Sequence, residues 1–390
     1  MRFALFKGPS QYGSLRLHVD QLAQALVELG YEARIVDMAA PDVTAQLEAW
    51  IRDPGDCAFT FGGGGHDLRL GSRSAYDALD VVFASLHVDH PCHHAVRLQT
   101  PVRRSVALFL DRTHLDYARS LPCASNFSSL DFLPPGANEL PESPDLAEDA
   151  FARRDIPLMF TGTFRGTPST PWRGWPDTPA KTLVSDMAEQ MVADGGLPVI
   201  AALSNVLSRM GVQLTPQFLQ DATPLVATVQ SFAEAYHRDA ALRAIGRAGL
   251  PLHVWGNGWE PMLEAHPSFV FGGVGSFAET LHTLRRARVV LNLNNGFVAG
   301  GHERVFTAMC AGAAVFSDAS RYYDDAFEAG CEIATFAWRE LAAMPDSLGG
   351  LVADADRAGK IARAGAMRAQ AEHRWINRAE ALVAAVERAL

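Results

Sequence analysis

The fold is decided by the stretch Val289-Val290-Leu291-Asn292-Leu293-Asn294-Asn295 and by its continuation, Gly300-Gly301-His302-Glu303-Arg304-Val305-Phe306-Thr307-Ala308-Met309-Cys310-Ala311-Gly312. The pattern predicts a buried strand, a polar glycine-rich loop and the start of a helix. A second apolar run, Ala314-Val315-Phe316, predicts the next strand. A strand–loop–helix unit of this kind directs free backbone N–H groups and a helix N-terminus at whatever occupies the loop, which suits a phosphate group.

The predicted helix start carries three polar side chains, His302, Glu303 and Arg304. A guanidinium can fork onto a phosphate, and a carboxylate can accept hydrogen bonds from ribose hydroxyls. A nucleotide sugar needs both kinds of contact, so Glu303 and Arg304 are candidate ligands for one. The alternative is an ordinary first turn of a surface helix, where a glutamate is favoured by the helix dipole alone.

The composition narrows the class of protein. The chain has 390 residues, a length typical of two or three domains, and a formal net charge of −10, which argues against a dedicated nucleic-acid-binding protein. Its five scattered cysteines form no C-x-x-C pair and favour a reduced, cytoplasmic compartment. The first residues turn polar too soon for a signal peptide, and no apolar run is long enough for a membrane span.

The first third of the chain alternates between strand-like and helical patterns. A strand at Phe3–Phe6, a helix at Leu15–Leu29 and a strand at Ala33–Val36 predict a β-α-β unit, although the G-x-G-x-x-G fingerprint of dinucleotide-binding folds is absent. Further continuous apolar runs predict buried parallel strands. They are Ala58–Phe61, Val81–Ser85, Val106–Leu110, Leu158–Thr163, Leu252–Gly256, Phe269–Gly272 and Glu332–Phe336.

A proline-rich acidic stretch at residues 133–152 predicts a domain boundary. We therefore predict an N-terminal Rossmann-like domain over 1–150 and a C-terminal Rossmann-like domain over 151–371, with a helical insertion at about 181–248. The alanine-rich end of the chain predicts helices, and the last of them, at about 372–390, is expected to pack back on the first domain. The fold class is α/β, with two Rossmann-like domains facing a cleft.

The order of motifs resembles the CgeB-like, or Glyco_trans_1_2-type, bacterial branch of the GT-B glycosyltransferases. The matching pieces span roughly residues 1–340. They are Tyr12-Gly13, Val88-Asp89-His90-Pro91, Asp111-Arg112-Thr113-His114, Leu133-Pro134-Pro135-Gly136, Phe160-Thr161-Gly162-Thr163, Trp255-Gly256-Asn257-Gly258-Trp259 and Gly301-His302-Glu303-Arg304-Val305-Phe306. The last of these is the most specific.

The resemblance implies that a nucleotide-sugar donor lies against the C-terminal domain and the acceptor against the N-terminal one, with no bound metal or cofactor. Many GT-B enzymes hold the ribose with a glutamate just before the Ala-Met pair of this helix. That position is Thr307 here, so Glu303, one turn earlier, is the candidate for the role.

Donor-binding residues are predicted at the strand ends of the second domain. They are Thr161, Gly162, Thr163, Trp255, Gly256, Asn257, Asn294, Gly300, Gly301, His302, Glu303 and Arg304. The glycines permit positive φ and the close approach of a ligand. The alternatives are a tight turn with aromatic packing at Trp255–Trp259 and a plain strand-to-loop transition at Thr161–Thr163. Lys7 and Arg165 are further positive groups that could stabilise a departing diphosphate.

The first domain supplies the acceptor side. Acceptor contacts are predicted at Tyr12, Gly64, Gly65, Asp111 and His114, and the catalytic candidates are Asp89, His90 and His66. A hydroxyl acceptor needs a general base if the mechanism inverts, and Asp or His is the usual one.

The dense histidine cluster around these residues could instead hold a metal ion or form structural hydrogen bonds. It comprises His87, Asp89, His90, His93 and His94, and its spacing departs from the usual zinc patterns. The Gly62–Gly65 run could equally be a flexible turn.

Three functions fit the sequence. The leading one is a cytoplasmic glycosyltransferase of glycan biosynthesis, which moves a sugar from a nucleotide donor to a hydroxyl of a glycan, protein or small molecule. The runner-up is a nucleotide-sugar epimerase of the same architecture, and the third is a GT-B module that only binds. No nucleic-acid partner is expected.

Overall fold

The computed structural model describes residues 1–294 and 296–390. Asn295, part of the predicted polar loop, lies outside the described residues. The chain divides into two compact units. The first comprises Met1–Asn138, Thr215–Thr223 and His373–Leu390, and the second comprises Glu139–Leu214 and Pro224–Glu372. Residues 139–150, which we assigned to the first domain, therefore cluster with the second unit.

Eleven of the fourteen strands in the described residues follow the predicted apolar runs. The fourteen strands are β1 (Arg2–Lys7), β2 (Glu32–Asp37), β3 (Cys57–Phe61), β4 (Arg69–Leu70), β5 (Arg73–Ser74), β6 (Val82–His87), β7 (Ser105–Phe109), β8 (Ser129–Phe132), β9 (Ile156–Thr161), β10 (His253–Trp255), β11 (Val270–Gly273), β12 (Ala287–Asn292), β13 (Ala314–Asp318) and β14 (Ala334–Phe336). Of these, β4, β5 and β8 were not predicted.

Helices connect the strands and fill the stretch between β9 and β10. They are α1 (Ser14–Glu28), α2 (Val43–Arg52), α3 (Ala75–Leu79), α4 (Ala95–Gln99), α5 (Arg112–Arg119), α6 (Glu148–Ala152), α7 (Pro179–Ala193), α8 (Val199–Arg209), α9 (Pro216–Arg247), α10 (Glu260–Ala265), α11 (Phe277–Leu284), α12 (Glu303–Cys310), α13 (Arg321–Ala326), α14 (Met344–Ala353), α15 (Ala355–Glu372) and α16 (Trp375–Glu387).

The first unit is built on a parallel sheet with the strand order β2-β1-β3-β6-β7-β8. Strands β3, β6 and β7 are buried along their whole length, as expected for strands covered by helices on both faces. The C-terminal helix α16 belongs to this unit. A Cβ on Gly136 would lie 2.5 Å from the Trp375 ring, so only glycine lets the chain pass this close to the helix.

The second unit has its own parallel sheet, in the order β11-β10-β9-β12-β13-β14. Its core contains Phe160, Val289, Leu291 and Phe316 from the central strands. The predicted helical insertion is formed by α7, α8 and α9. The α/β class with two Rossmann-like units and C-terminal helices is thus confirmed, and no helix in the described ranges is long and apolar enough to cross a membrane.

Candidate functional site in the second unit

The loops after β9, β10, β12 and β13 meet at one edge of the second sheet, because carboxyl ends of parallel strands share an edge. Two glycines, Gly162 and Gly256, allow the loops after β9 and β10 to approach closely. The N–H of Gly162 donates to the Trp255 carbonyl at 2.9 Å, and a Cβ on Gly256 would lie 2.5 Å from the Gly162 carbonyl oxygen. Gly162 and Gly256 also have φ of 147° and 120°, which other residues rarely adopt. The two predicted donor loops are therefore in direct contact.

Arg304, in the first turn of α12, reaches across this edge. Its Nε donates to Thr161 Oγ1 at 3.1 Å and its Nη1 to Asn292 Oδ1 at 2.8 Å. The guanidinium lies over the Phe160 ring, 5.2 Å from the centroid. Both hydrogen-bond partners are neutral, and within the described residues Arg304 forms no ion pair. Its position is thus fixed by neutral partners, and the negative charge of Glu303 acts on it without a direct ion pair in this part of the chain.

The remaining nitrogen of this guanidinium, Nη2, makes no hydrogen bond within the described residues. A Cβ on Gly162 would lie 3.5 Å from it. Gly162 lies next to Nη2 and places no side chain there. A bound anion can thus accept from Nη2 without displacing any protein hydrogen bond.

Two more arginines, Arg238 and Arg165, lie near Arg304. Arg165 was considered from the sequence, whereas Arg238 was not predicted. Arg238, on α9, lines a small pocket with Arg165 and Glu234. Burial, together with the neighbouring charge of Arg304, lowers the pKa of Arg238 to about 10, so it remains protonated at neutral pH. Its Nε has no hydrogen-bond partner among the described residues. Arg304, Arg238 and Arg165 together form a positive cluster suited to a diphosphate.

His302 and Glu303 are coupled at the start of α12. Nδ1 of His302 lies 2.6 Å from Glu303 Oε2 and 3.2 Å from the backbone nitrogen of Arg304. One ring nitrogen cannot both donate and accept, and the shorter contact assigns a proton to Nδ1 that it donates to the carboxylate. About a fifth of each side chain is exposed, 21% for His302 and 20% for Glu303, so a ligand can reach Glu303.

The end of β13 and the segment after it hold the predicted donor loop at several points. Both carboxylate oxygens of Asp318 accept from the N–H of Asn294 at 3.0 Å, and Ser320 Oγ donates to the Gly300 carbonyl at 2.6 Å. Farther along, Tyr323 Oη accepts from the N–H of His302 at 3.0 Å. Asn294, Gly300 and His302 are thereby fixed by one neighbouring segment that was not among the predicted site residues.

Asp318 should make the stability of the protein depend on pH. Burial raises its pKa to about 7, against the opposing effect of the Asn294 N–H, so the folded chain keeps a proton that the unfolded chain loses near its ordinary value of 3.8. Stability contributed by this group is therefore greatest at low pH and falls as pH rises from about 4 to about 7, with a slope of at most about 1.4 kcal/mol per pH unit.

Asp318→Asn isolates this effect, because the amide keeps the size and an acceptor oxygen but cannot ionise. We expect urea unfolding midpoints between about pH 4 and 7.5 to show a smaller decline in the variant than in the wild-type protein. Parallel curves would exclude Asp318 as the titrating group.

In the first unit, the structure separates the residues predicted as catalytic. His90 is buried, and its ring packs against His114 and Tyr117 with centroids 4.6 and 4.9 Å away. Its Nδ1 accepts from the N–H of Cys92 at 3.2 Å. Burial holds its pKa well below the ordinary value. His90 and His114 thus lie together in the interior of this unit.

Asp89 has the opposite environment. Its side chain is 61% exposed, and its Oδ2 lies 3.3 Å from His94 Nε2 just after the carboxyl end of β6. His66 lies after the end of β3, with its Nδ1 buried and without a hydrogen bond in the described chain. Of the three candidates, Asp89 is the most accessible to a ligand.

The predicted acceptor-side residues make contacts within the first unit. Asp111 is fully buried and caps α5, its Oδ1 accepting from Thr113 N and Oγ1, both at 2.6 Å. The Gly65 carbonyl accepts from Tyr76 Oη at 2.7 Å. A Cβ on Gly64 would lie 3.3 Å from Thr60 Oγ1. Tyr12 has a left-handed φ of 59° before α1. Lys7, which was considered as a positive group for the departing diphosphate, is paired with Asp20 at 2.6 Å.

The histidine cluster does not assemble as a metal site. In the part of the chain that the structure describes, no group of three or more His, Cys, Asp or Glu side chains converges on a common point. His87 is buried beside Ser85, with its Nε2 3.1 Å from the hydroxyl, and its ring stacks on Phe109. Burial lowers the pKa of His87 to about 3, which suits a neutral structural histidine.

Comparison with known proteins supports the fold over the whole chain. Sucrose-phosphate synthase from Thermosynechococcus elongatus aligns at TM-score 0.56 and 12% identity over 98% of both chains. HepE of Anabaena, in complex with UDP and glucose, aligns at TM-score 0.53 and 8% identity over 99% of both. AviGT4, a glycosyltransferase involved in avilamycin A biosynthesis, aligns at TM-score 0.51 and 15% identity over 100% of this chain and 97% of its own.

The sequence also matches a family model over part of its length. Residues 238–384 match the Glyco_trans_1_2 family, described as glycosyl transferase-like, and this range contains α12 and the loop before it. No curated protein sequence matches the chain significantly. The whole chain therefore has the GT-B fold of these solved structures, and its residues 238–384 match the glycosyl transferase-like family model.

Proposed function

We propose that the protein transfers a sugar from a nucleotide-sugar donor to a hydroxyl acceptor without a bound metal ion. The observation that carries the proposal is the charge of Arg304, which is held at the edge of the second sheet by neutral hydrogen-bond partners and forms no ion pair within the described residues. An enzyme that only moved neutral sugars would not need a fixed, unpaired cation here. A diphosphate leaving group does, because negative charge builds up on it as the glycosidic bond breaks.

Each part of the edge then has a role toward the donor. Arg304, Arg238 and Arg165 face the diphosphate, and the contact between Gly162 and Gly256 lets the backbone approach the ligand closely. Glu303 accepts from the ribose hydroxyls, with its carboxylate oriented by the His302 ring. Donor binding at this edge is consistent with what the fold relatives hold, since HepE has been observed with UDP-glucose.

The acceptor is assigned to the first unit, with Asp89 as the base that takes the proton of the attacking hydroxyl. Asp89 follows β6 at the carboxyl edge of its own sheet, and its carboxylate is exposed. His94, within hydrogen-bond distance, orients the carboxylate. A carboxylate at such an edge is a common base for hydroxyl groups.

A donor screen tests the proposal directly. Nucleoside diphosphates and nucleotide sugars are added to the purified protein, and the melting temperature is followed. A ligand present at about 100 times its Kd adds about 2.7 kcal/mol of stability. No shift with any uridine, guanosine, adenosine, cytidine or thymidine diphosphate sugar would overturn the donor assignment.

Product analysis with the best donor separates the three functions. Transfer requires nucleotide release that depends on an acceptor. Epimerisation gives a new nucleotide sugar without an acceptor, and a module that only binds gives a melting shift with no product at all.

Activity should survive treatment with EDTA. Charge stabilisation is assigned to three arginines and backbone N–H groups, not to a metal ion. The chain does contain a D-x-D-type pair that could hold a metal, Asp354-Ala355-Asp356, but it lies at the junction of helices α14 and α15 rather than at the end of a strand. We expect the same rate, within about two-fold, before and after chelation followed by gel filtration. A loss that Mg²⁺, Mn²⁺ or Zn²⁺ restores would contradict a metal-independent mechanism.

A further inference from the structure

The first unit contains a pocket that the proposed mechanism does not use. It has a volume of about 320 Å³ and lies beside the β4–β5 hairpin, with His66, Arg69, Arg73, Ser74 and Asp77 among its lining residues. This volume is at the lower end of the range for small-molecule sites and suits a monosaccharide-sized group.

The hairpin that forms the pocket wall is anchored in the core. Leu68 and Leu70 pack against the hydrophobic cluster around Phe6, Trp50 and Tyr76. The N–H of Leu68 donates to the Gly65 carbonyl at 3.0 Å, and the Leu68 carbonyl accepts from Ala75 N at 2.8 Å. The wall is therefore a fixed scaffold, and side chains on it are presented in defined positions.

Two arginines on this wall carry unpaired charge. Arg69 Nη1 donates to the Ser72 carbonyl at 2.9 Å, and Arg73 Nη2 donates to the Asp77 carbonyl at 2.7 Å. Both partners are neutral backbone groups, and neither guanidinium forms an ion pair within the described chain. By contrast Arg103, a third arginine in the lining, is paired with Asp80. Arg69 and Arg73 are thus available to an anion.

The other polar groups in the lining suit hydroxyl groups. His66 Nδ1 and Ser74 Oγ are buried and have no hydrogen-bond partner in the described residues. Buried polar atoms without partners are uncommon and favour a missing ligand or water. Asp67 and Asp77 add carboxylates that accept from hydroxyls. A ligand that satisfies this lining has one anionic group and several hydroxyls.

We propose that this pocket binds an acidic sugar, carrying a carboxylate or a phosphate, as part of the acceptor. The assignment to the acceptor rests on the proposed transferase function. His66 connects the pocket to the Gly62–Gly65 loop, which follows β3 at the same sheet edge as Asp89. Arg69 and Arg73 bind the anionic group, while His66 and Ser74 contact the ring hydroxyls.

The test uses glucuronate, glucose 6-phosphate and glucose as probes of the full-length protein. Binding is followed by ligand-observed NMR with UDP present at saturation, so that the arginines of the second unit are occupied. We expect one or both acidic sugars to bind and glucose to bind at least about ten-fold more weakly, and the two acidic probes distinguish carboxylate from phosphate. Binding should weaken as salt is raised.

Variants assign the binding to the pocket. Arg69→Ala and Arg73→Ala should each raise the Kd of the acidic sugar about ten-fold, as expected for the loss of a hydrogen bond to a charged group. The Kd of the Arg69→Lys variant should lie between those of the alanine variants and the wild-type protein. Arg52→Ala, an exposed arginine at the end of α2, serves as the matched control and should change nothing. Melting temperatures of all variants verify that they are folded.

Three results would overturn the proposal: no binding of either acidic sugar, equal binding of glucose, or unchanged affinity in the folded Arg69 and Arg73 variants. A failure of the donor assignment is detected in a separate measurement, the affinity for UDP. UDP affinity, measured on the same preparations by thermal shift, reports only on the second unit and is expected to be the same in every variant.

Discussion

Replacing Arg304 with alanine should weaken nucleoside-diphosphate binding about ten-fold or more and lower kcat/KM for the donor about a hundred-fold. One hydrogen bond to a charged group contributes about 1.5–3 kcal/mol, and a preorganised donor at developing charge accounts for about 10²–10³ in rate. Calorimetry with UDP or the nucleotide found in the donor screen measures the first effect, and initial rates at low donor concentration measure the second.

A further variant separates the charge of Arg304 from its hydrogen-bond geometry, and a second serves as a control. Arg304→Lys keeps the charge but cannot reach Thr161 Oγ1 and Asn292 Oδ1 together, so we expect an intermediate loss. Arg247→Ala, an exposed arginine at the end of α9, is the matched control and should bind normally. Unchanged nucleotide affinity in a folded Arg304→Ala protein would remove Arg304 from the donor site.

Arg304 was predictable from the sequence because a local pattern exposes it. A buried strand, a glycine-containing polar loop and a charged helix start stand within a short stretch, and parallel-sheet geometry places that loop at a ligand-binding edge. The contact with Thr161 was predictable only as a shared edge. The hydrogen bond between them depends on side-chain rotamers that no local pattern specifies.

Arg238 shows where such reasoning ends. It lies in the long helix α9, among residues typical of a helical insertion, and nothing around it marks a site. Its importance arises only when α9 brings it near Arg304 and Arg165. Asp318 would have been easier to predict from the sequence, since it directly ends an apolar strand at the same edge as the predicted donor loop. The rule that selected Asn294 would have selected it too.

Among the strands, too, those marked by a local sequence pattern were predicted and those that depend on tertiary contacts were not. Continuous apolar runs such as Leu158–Phe160 announce buried parallel strands, whereas the edge strand β8 was missed. Its residues, Ser129–Phe132, are all only half-buried, and half of them are polar, so its strand conformation depends on pairing with β7. The β4–β5 hairpin has two residues in each strand, too few for any periodicity.

The second large effect is expected at Asp89. Asp89→Asn should reduce transfer at least about a hundred-fold, because a general base contributes about 10²–10⁴ in rate and the amide cannot take a proton. Donor affinity should stay nearly unchanged, since the donor contacts are assigned to the other unit. Asp116→Asn, an exposed aspartate on α5, is the matched control and should remain fully active.

His90→Ala should behave differently, although it is the next residue in the chain. The His90 ring is packed against His114 and Tyr117 in the interior, so its removal leaves a cavity and takes away the acceptor of the Cys92 N–H. We expect a loss of about 2–4 kcal/mol in unfolding free energy, with turnover per folded molecule preserved. Melting temperature and turnover measured on the same preparations distinguish the two roles. If Asp89→Asn is stable and fully active, the base is not Asp89. If His90→Ala is stable but inactive, His90 has the catalytic role that was assigned to Asp89 because of its exposure.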